Sequence, residues 1–155
     1  MYYERLDTED EIYSAMDLAS HVFAIEFSFN FPVGATSAFH REITRNDDFI
    51  AAYLNGECVM YGACTEDTDE VIGFAALDRS GTRLNLLFVE AHSSRQGIGT
   101  NLLNMVFAEN PNMKTLSVNC PSVCREFFEA YGFVPSGDEV VHGRIKYTPM
   151  AFTRA

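Results

Sequence analysis

Residues 86–103, LLFVEAHSSRQGIGTNLL, restrict what the chain can fold into more than any other stretch. Leu86, Leu87, Phe88 and Val89 make an apolar strand, and the polar run 90–94 follows it. Arg95-Gln96-Gly97-Ile98-Gly99-Thr100 then leads into a segment where Ile98, Leu102 and Val106, and also Leu103 and Phe107, recur at i, i+4. That spacing predicts a helix over 98–109 with one apolar stripe. A strand that feeds a glycine loop at a helix start is an anion cradle. Glycines let the backbone approach a ligand, the first helical N–H groups lack partners, and the helix dipole adds positive potential. Arg95 stands beside these donors as a phosphate partner. The same pattern also serves a tight helix start chosen for packing. Two other phosphate motifs do not fit. The run G-x-x-x-x-G-K-[ST] is missing, and G-x-G-x-x-G is incomplete because Leu102 stands where its third glycine belongs.

The flanking sequence predicts a mixed sheet. Residues 2–6 form a short strand, and 9–24 a helix with Ile12, Met16, Ala19 and Phe23 on one face. The aromatic stretch 27–34 follows; its rings line a pocket or join the core, and core is the preferred reading. Further helices are expected over 35–45 and 47–54, the latter capped by Asn46 and stopped at Asn55-Gly56. Strands over 58–64, 71–77 and 84–89, joined by the polar turns 65–70 and 78–81, make an antiparallel meander. After the helix at 98–109 come a strand at 115–118, a helix at 122–131 ending at Gly132, and a last strand at 144–152. That alternation implies a βαβ crossover with locally parallel pairing. The expected fold is α/β (α+β): a mixed, mostly antiparallel central sheet with helices on both faces and a βαβ cofactor-binding unit. At 155 residues it is expected to be one domain, 1–155.

Charge and composition narrow the partners. Eleven basic against 22 acidic residues give a net charge of −11. Such a surface repels a phosphate backbone and excludes nucleic acid, while it draws in cationic amines; it also serves solubility alone. No apolar run reaches membrane-span length, so no membrane partner is expected. Residues 1–10 carry Glu4, Asp7, Glu9 and Asp10 rather than a basic-then-apolar leader, which points to the cytoplasm. Cys58, Cys64, Cys120 and Cys124 and the scattered His21, His40, His92 and His142 lack metal-site spacing, so neither a metal nor a disulfide is expected.

Two blocks resemble the GNAT superfamily of acetyl-CoA-dependent N-acetyltransferases. The first is 86–103; the second is 116–133, LSVNCPSVCREFFEAYGF, similar to that family's next strand and helix with its closing Gly-Phe turn. The segment 144–150 is similar to a branch of the same superfamily. The resemblance implies acetyl-CoA as cofactor. The loop Ser94, Arg95, Gln96, Gly97, Ile98, Gly99 and Thr100 would hold the pyrophosphate, main-chain groups of Leu87 and Val89 would meet the thioester and pantetheine arm, and Asn119 would bond the pantetheine amides. Asn119 also suits a turn or cap.

The chain departs from the family pattern at three positions. Ser94 stands where Gln or Arg is usual. Many members carry, four residues before the glycine of the Gly-Phe pair, a tyrosine that protonates the departing thiolate. Phe128 holds that cofactor-facing position here, and Tyr131, one turn on, is the candidate catalytic acid, with water as the alternative and core packing as its plain structural role. The frequent acidic residue at the strand start corresponds to Arg83. Glu26, Glu90 and His92 are base candidates by neighbourhood.

The expected function is transfer of acetyl from acetyl-CoA to a primary amine, on a small molecule or a peptide, in a ternary complex. A non-catalytic acyl-CoA-binding or regulatory domain is the alternative. A structural partner domain with a vestigial loop is a third reading, and a homodimer is an open assembly.

Overall fold

The computed structural model describes residues 1–27, 29, 31–93, 96–142 and 145–155. Ser94 and Arg95 of the expected anion loop, and Arg144 at the expected start of the last strand, lie outside the described residues.

Strands β1 (Tyr2–Leu6), β2 (Met60–Cys64), β3 (Val71–Leu77) and β4 (Arg83–Val89) pair in sequence, all antiparallel. Polar turns join the last three. Thr65 and Glu70 close the first turn, where Asp69 takes φ 55°, and Asp78 accepts from the Ser80 amide at 3.0 Å in the second. The chain then crosses over through α4 (Ile98–Glu109) to β5 (Thr115–Pro121), which pairs parallel with β4. Strand β8 (Ile145–Thr153) runs antiparallel to β5, and its other edge carries β6 (Val134–Pro135) and β7 (Val140–His142). The sheet order is β1-β2-β3-β4-β5-β8-β6, with β7 also on β8.

Helices cover both faces. On one face lie α1 (Glu9–Val22) and α3 (Asp47–Leu54). Thr8 and Glu11 close a reciprocal capping box at the start of α1, and Asn46 accepts from the Phe49 amide at the start of α3, so orphan N–H groups at both helix starts are satisfied. Ile12, Met16 and Ala19 of α1 pack with Leu6, Met60 and Phe74. On the other face lie α4 and the short α5 (Arg125–Tyr131), whose core includes Ile98, Leu102, Leu103, Val106, Leu116 and Phe133. Strand β3 is buried along its length because both layers cover it. Phe74 and Ala76 enter one core, Ala75 and Leu77 the other, following the two-residue period of a strand.

Several elements differ from the sequence-based expectation: β2 starts at Met60 rather than at residue 58, and the helix expected over 122–131 opens as a 3-10 turn, Ser122–Cys124, before α5. The first helix leaves α geometry at Val22 and widens into a π-helical turn, Phe23–Phe27. The helix expected over 35–45 is a short α turn, α2 (Ala35–Phe39), continued by a second π-helical stretch, His40–Thr44. Strand β5 runs on to Pro121, three residues past its expected end, because β8 pairs with it over that whole length. Strands β6 and β7 had no signal, being two and three residues long.

At its far end α4 is latched by Arg154. The guanidinium donates to the main-chain oxygens of Met113 at 2.7 Å, Phe107 at 3.0 Å and Asn110, and lies 5.1 Å from the centre of the Phe107 ring. Cationic donors on the last carbonyls are favourable there, because those groups lack helical partners and carry the negative end of the dipole. No helix among the described residues is long and apolar enough to cross a membrane.

Candidate acyl-transfer site

Strands β4 and β5 pair only at Arg83 with Ser117 and Leu84 with Val118. Beyond that point β4 stays on β3 up to Val89, while β5 stays on β8 through Pro121, opposite Tyr147. Each strand keeps one ladder and gives up the one they would share, so the sheet opens as a V at their carboxyl ends. In open α/β sheets such a crevice is where ligands bind. The ladder also tells which groups face it. Glu90 donates to Ile72 O at 2.8 Å, which makes that pair a hydrogen-bonded one. The alternation of an antiparallel ladder then turns Phe88 and Leu86 main-chain groups toward β3, and those of Leu87 and Val89 toward the V.

Helix α4 begins at the edge of this opening. Gly97 is its N-cap at φ 78°, a left-handed conformation costly for a residue with a Cβ. The first helical hydrogen bond runs from Asn101 to Gly97 O at 2.9 Å, so the amides of Ile98, Gly99 and Thr100 come ahead of the ladder. Gly99 serves a different need. A Cβ there would lie 3.0 Å from the Phe127 ring of α5, so glycine lets the two helices approach.

Two neighbouring cavities occupy the opening. The larger, about 880 Å³, is bounded by the start of α4, the end of β4 and the outer turn of α5, with Glu26 and Glu126 at its rim. Its volume suits a cofactor-sized ligand. Leu87, Val89, Gly97, Ile98, Gly99, Thr100 and Phe128, all singled out in the sequence, line it together. Gln96 is exposed and lines neither cavity. The smaller cavity, about 180 Å³, lies between the splayed strands and the aromatic segment after α1. Asn119 lines it, at the level where β5 has left β4. Phe27, Leu87, Phe88, Cys124 and Phe128 border both spaces. Burial pushes the Cys124 thiol up to about 12, so it stays protonated and unreactive.

The rings around the smaller cavity were not all legible. Phe23 and Phe39 stack at 4.4 Å, Phe39 lies 5.7 Å from Phe88, and Phe27 meets Phe88 edge-on at 5.8 Å. Phe27 and Phe31 line the cavity, whereas Phe29 is 88% exposed, so the stretch preferred as core is divided between pocket wall and surface. The segment opens with the π-helical turn. Phe23 and Phe27, in this wider turn, pack against the α1 core and also line the smaller cavity, and Glu26 lines the larger one.

The acid–base candidates are distributed unevenly. Tyr131 lines neither cavity; its hydroxyl donates to Asn104 Oδ1 at 2.8 Å, and its ring sits among Phe107, Phe133 and Phe152. Burial raises its pKa. Phe128, 5% exposed, is the α5 aromatic that borders the junction of the cavities. Of the base candidates only Glu26 lines the opening. Glu90 accepts from Ser93 Oγ at 3.3 Å outside it, His92 is exposed and lines neither cavity, and Arg83 lies at the closed end of the V.

With this geometry in hand, comparisons with known proteins bear on the chain. Residues 29–154 match the family model described as an acetyltransferase (GNAT) domain. No curated protein sequence matches significantly. Among solved structures, the PaiA N-acetyltransferase of Thermoplasma acidophilum in complex with coenzyme A superposes with a TM-score of 0.80 at 14% identity, over 99% of this chain and 100% of that one. A GCN5-related N-acetyltransferase from Rhodopseudomonas palustris gives 0.72 at 20% identity, over 99% and 95%. The aminoglycoside 6′-N-acetyltransferase of Enterococcus faecium gives 0.68 at 17% identity, over 99% and 97%. At these identities the likeness is one of fold.

Proposed function

This chain belongs to the GNAT acetyltransferase family, and from that premise we propose that it moves an acetyl group from acetyl-CoA directly to a primary amine in a ternary complex. The V between β4 and β5 carries this reading, because it sets a cofactor-sized cavity at a helix start beside a second, smaller one that shares its wall. Acetyl-CoA supplies an acetyl group on a sulfur leaving group: the C–N bond forms, the C–S bond breaks, the amine loses a proton and the thiolate gains one.

The residues present fit that cofactor. The amides of Ile98, Gly99 and Thr100, with Gly97 allowing close approach, hold the pyrophosphate; Ser94, Arg95 and Gln96 precede them in the same sequence motif. Main-chain groups of Leu87 and Val89 take the pantetheine arm as a strand partner would, and the Val89 N–H polarises the thioester oxygen. Asn119 bonds an amide of the arm, and Phe128 walls off the sulfur. With Tyr131 engaged by Asn104, the thiolate takes its proton from water, which its pKa of about 8.5 permits. Glu26, at the rim, relays the amine proton through water. Catalysis on this reading is mainly positioning.

Phe128 at the junction of the cavities, where it has no proton to give, favours a second reading: a domain that binds acyl-CoA without turnover. A cytoplasmic location, one domain over 1–155, no nucleic-acid or membrane partner and a homodimeric assembly belong to the same proposal, the last checked by analytical ultracentrifugation. The test of function is thermal stabilisation by acetyl-CoA, then thiol release with a panel of amines. Stabilisation without thiol release selects the second reading; no stabilisation sinks both.

A further inference from the structure

We propose that the acceptor is a small apolar monoamine, with a body about the size of one aromatic ring, seated in the phenylalanine-lined cavity. This rests on the acetyl-transfer reading and adds the substrate class to it. The cavity measures about 180 Å³. An apolar cavity of about 150 Å³ accepts benzene, so the space holds one ring and a short tether, and a sugar-sized or peptide body would extend beyond its apolar wall. Phe23, Phe27, Phe31, Phe39 and Phe88 line it with aromatic rings. None of the described residues lining it carries a charge, and Asn85 and Asn119 are the amide side chains among them.

That chemistry selects in two ways. A second ammonium group, as on a polyamine, would be buried without a counter-charge, which is costly. A single ammonium can pass over the ring faces by cation–π attraction and then lose its proton, because an apolar site disfavours the charged form. The cavity therefore delivers the amine as the neutral nucleophile that attack on a thioester requires. The cavity has no carboxylate among its described lining residues, so the proton leaves through water to Glu26, which lines the neighbouring larger cavity. The net charge of −11 supplies long-range attraction for any cationic amine, so the cavity and not the surface sets the choice of body.

The test uses the purified full chain and two readouts. Calorimetric titration with phenethylamine and with spermidine, in the presence of coenzyme A, measures binding without turnover. Thiol release from acetyl-CoA with phenethylamine, spermidine, kanamycin and a lysine peptide measures transfer. Phenethylamine is expected to bind, and to exceed the other three in kcat/KM by about 100-fold or more. Phe31→Ala, which touches only the smaller cavity, should weaken phenethylamine by about tenfold and leave acetyl-CoA affinity unchanged. Phe31→Leu should lie between, and unchanged circular dichroism confirms that both variants fold. Spermidine or kanamycin preferred over phenethylamine, or an undiminished affinity in Phe31→Ala, overturns the proposal. Loss of acetyl-CoA binding by the wild type defeats the transfer reading alone, since the phenethylamine titration still reports on the cavity.

Discussion

The Tyr131 hydroxyl donates to Asn104 Oδ1 at 2.8 Å and ties the end of α5, just before Gly132, to the middle of α4. A tyrosine so engaged is a brace. Tyr131→Phe is therefore expected to keep kcat within about twofold of wild type, whereas loss of general acid catalysis typically costs ~100-fold or more. Stability should fall by about 1 kcal/mol, or roughly 3 °C in Tm. Asn104→Ala should give a similar loss, and the double variant little more than either alone. A 100-fold drop in kcat for Tyr131→Phe would return the residue to the role of acid.

Phe128→Tyr places a hydroxyl at the junction of the two cavities. With water as the wild-type proton source, this variant is expected to raise kcat several-fold at constant acetyl-CoA affinity. Thiol-release kinetics read the effect, and an unchanged kcat would mean that loss of the thiolate does not limit the rate.

Gly97→Glu should abolish stabilisation by acetyl-CoA while the fold survives. The position has open space around a Cβ, so the cost in the free protein is chiefly the positive φ, about 1–2 kcal/mol. Gly99→Glu should lose the same stabilisation but also unfold at a lower temperature, because its Cβ meets the Phe127 ring. Retained acetyl-CoA stabilisation in both variants would remove the pyrophosphate from the start of α4.

Glu4 shares a hydrogen bond with Glu11, and this with partial burial and the nearby negative charges lifts the Glu4 carboxyl from 4.5 to about 7. The folded state thus keeps a proton that the unfolded chain releases over that interval. Stability on this account declines as pH rises from about 4.5 to about 7. Glu11 runs the other way: hydrogen bonds from Glu4, Thr8 and Asp7 outweigh desolvation and lower its pKa, so its contribution is present above its unfolded value and lost as acid titrates it. Glu4→Gln should raise Tm near pH 8 and do little near pH 5. Equal shifts at both values would show that the two carboxylates do not interact.

How far the sequence could be read depended on how strongly local pattern and tertiary context agreed. The boundaries of β3 and α4 match their expected ranges at both ends, because a continuous apolar run between turns and an i, i+4 stripe after a glycine are self-contained signals. The departures come where neighbours decide. Strand β5 reaches Pro121 only because β8 lies beside it, and the π-helical turn at Phe23–Phe27 leaves no mark in hydrophobic spacing. The residues that line the larger cavity were legible because a glycine loop at a helix start carries its own geometry. The aromatic side was not, since Phe23, Phe39 and Phe88 come from three separate elements and meet only in the folded chain. Tyr131 shows the limit most directly. One helical turn separates it from Phe128, yet that turn divides the wall of the opening from the contact with α4.

The opening between β4 and β5 also has a dynamic signature. A strand in the middle of a sheet ordinarily shields every amide from solvent deuterium. In β4 the shielding should alternate instead: Leu86 and Phe88, committed to β3, exchange slowly, while Leu87 and Val89, turned to the V, exchange at rates typical of a surface loop. A single internal strand would then carry two clocks, one kept by the protein and one that stops only when a ligand fills the gap.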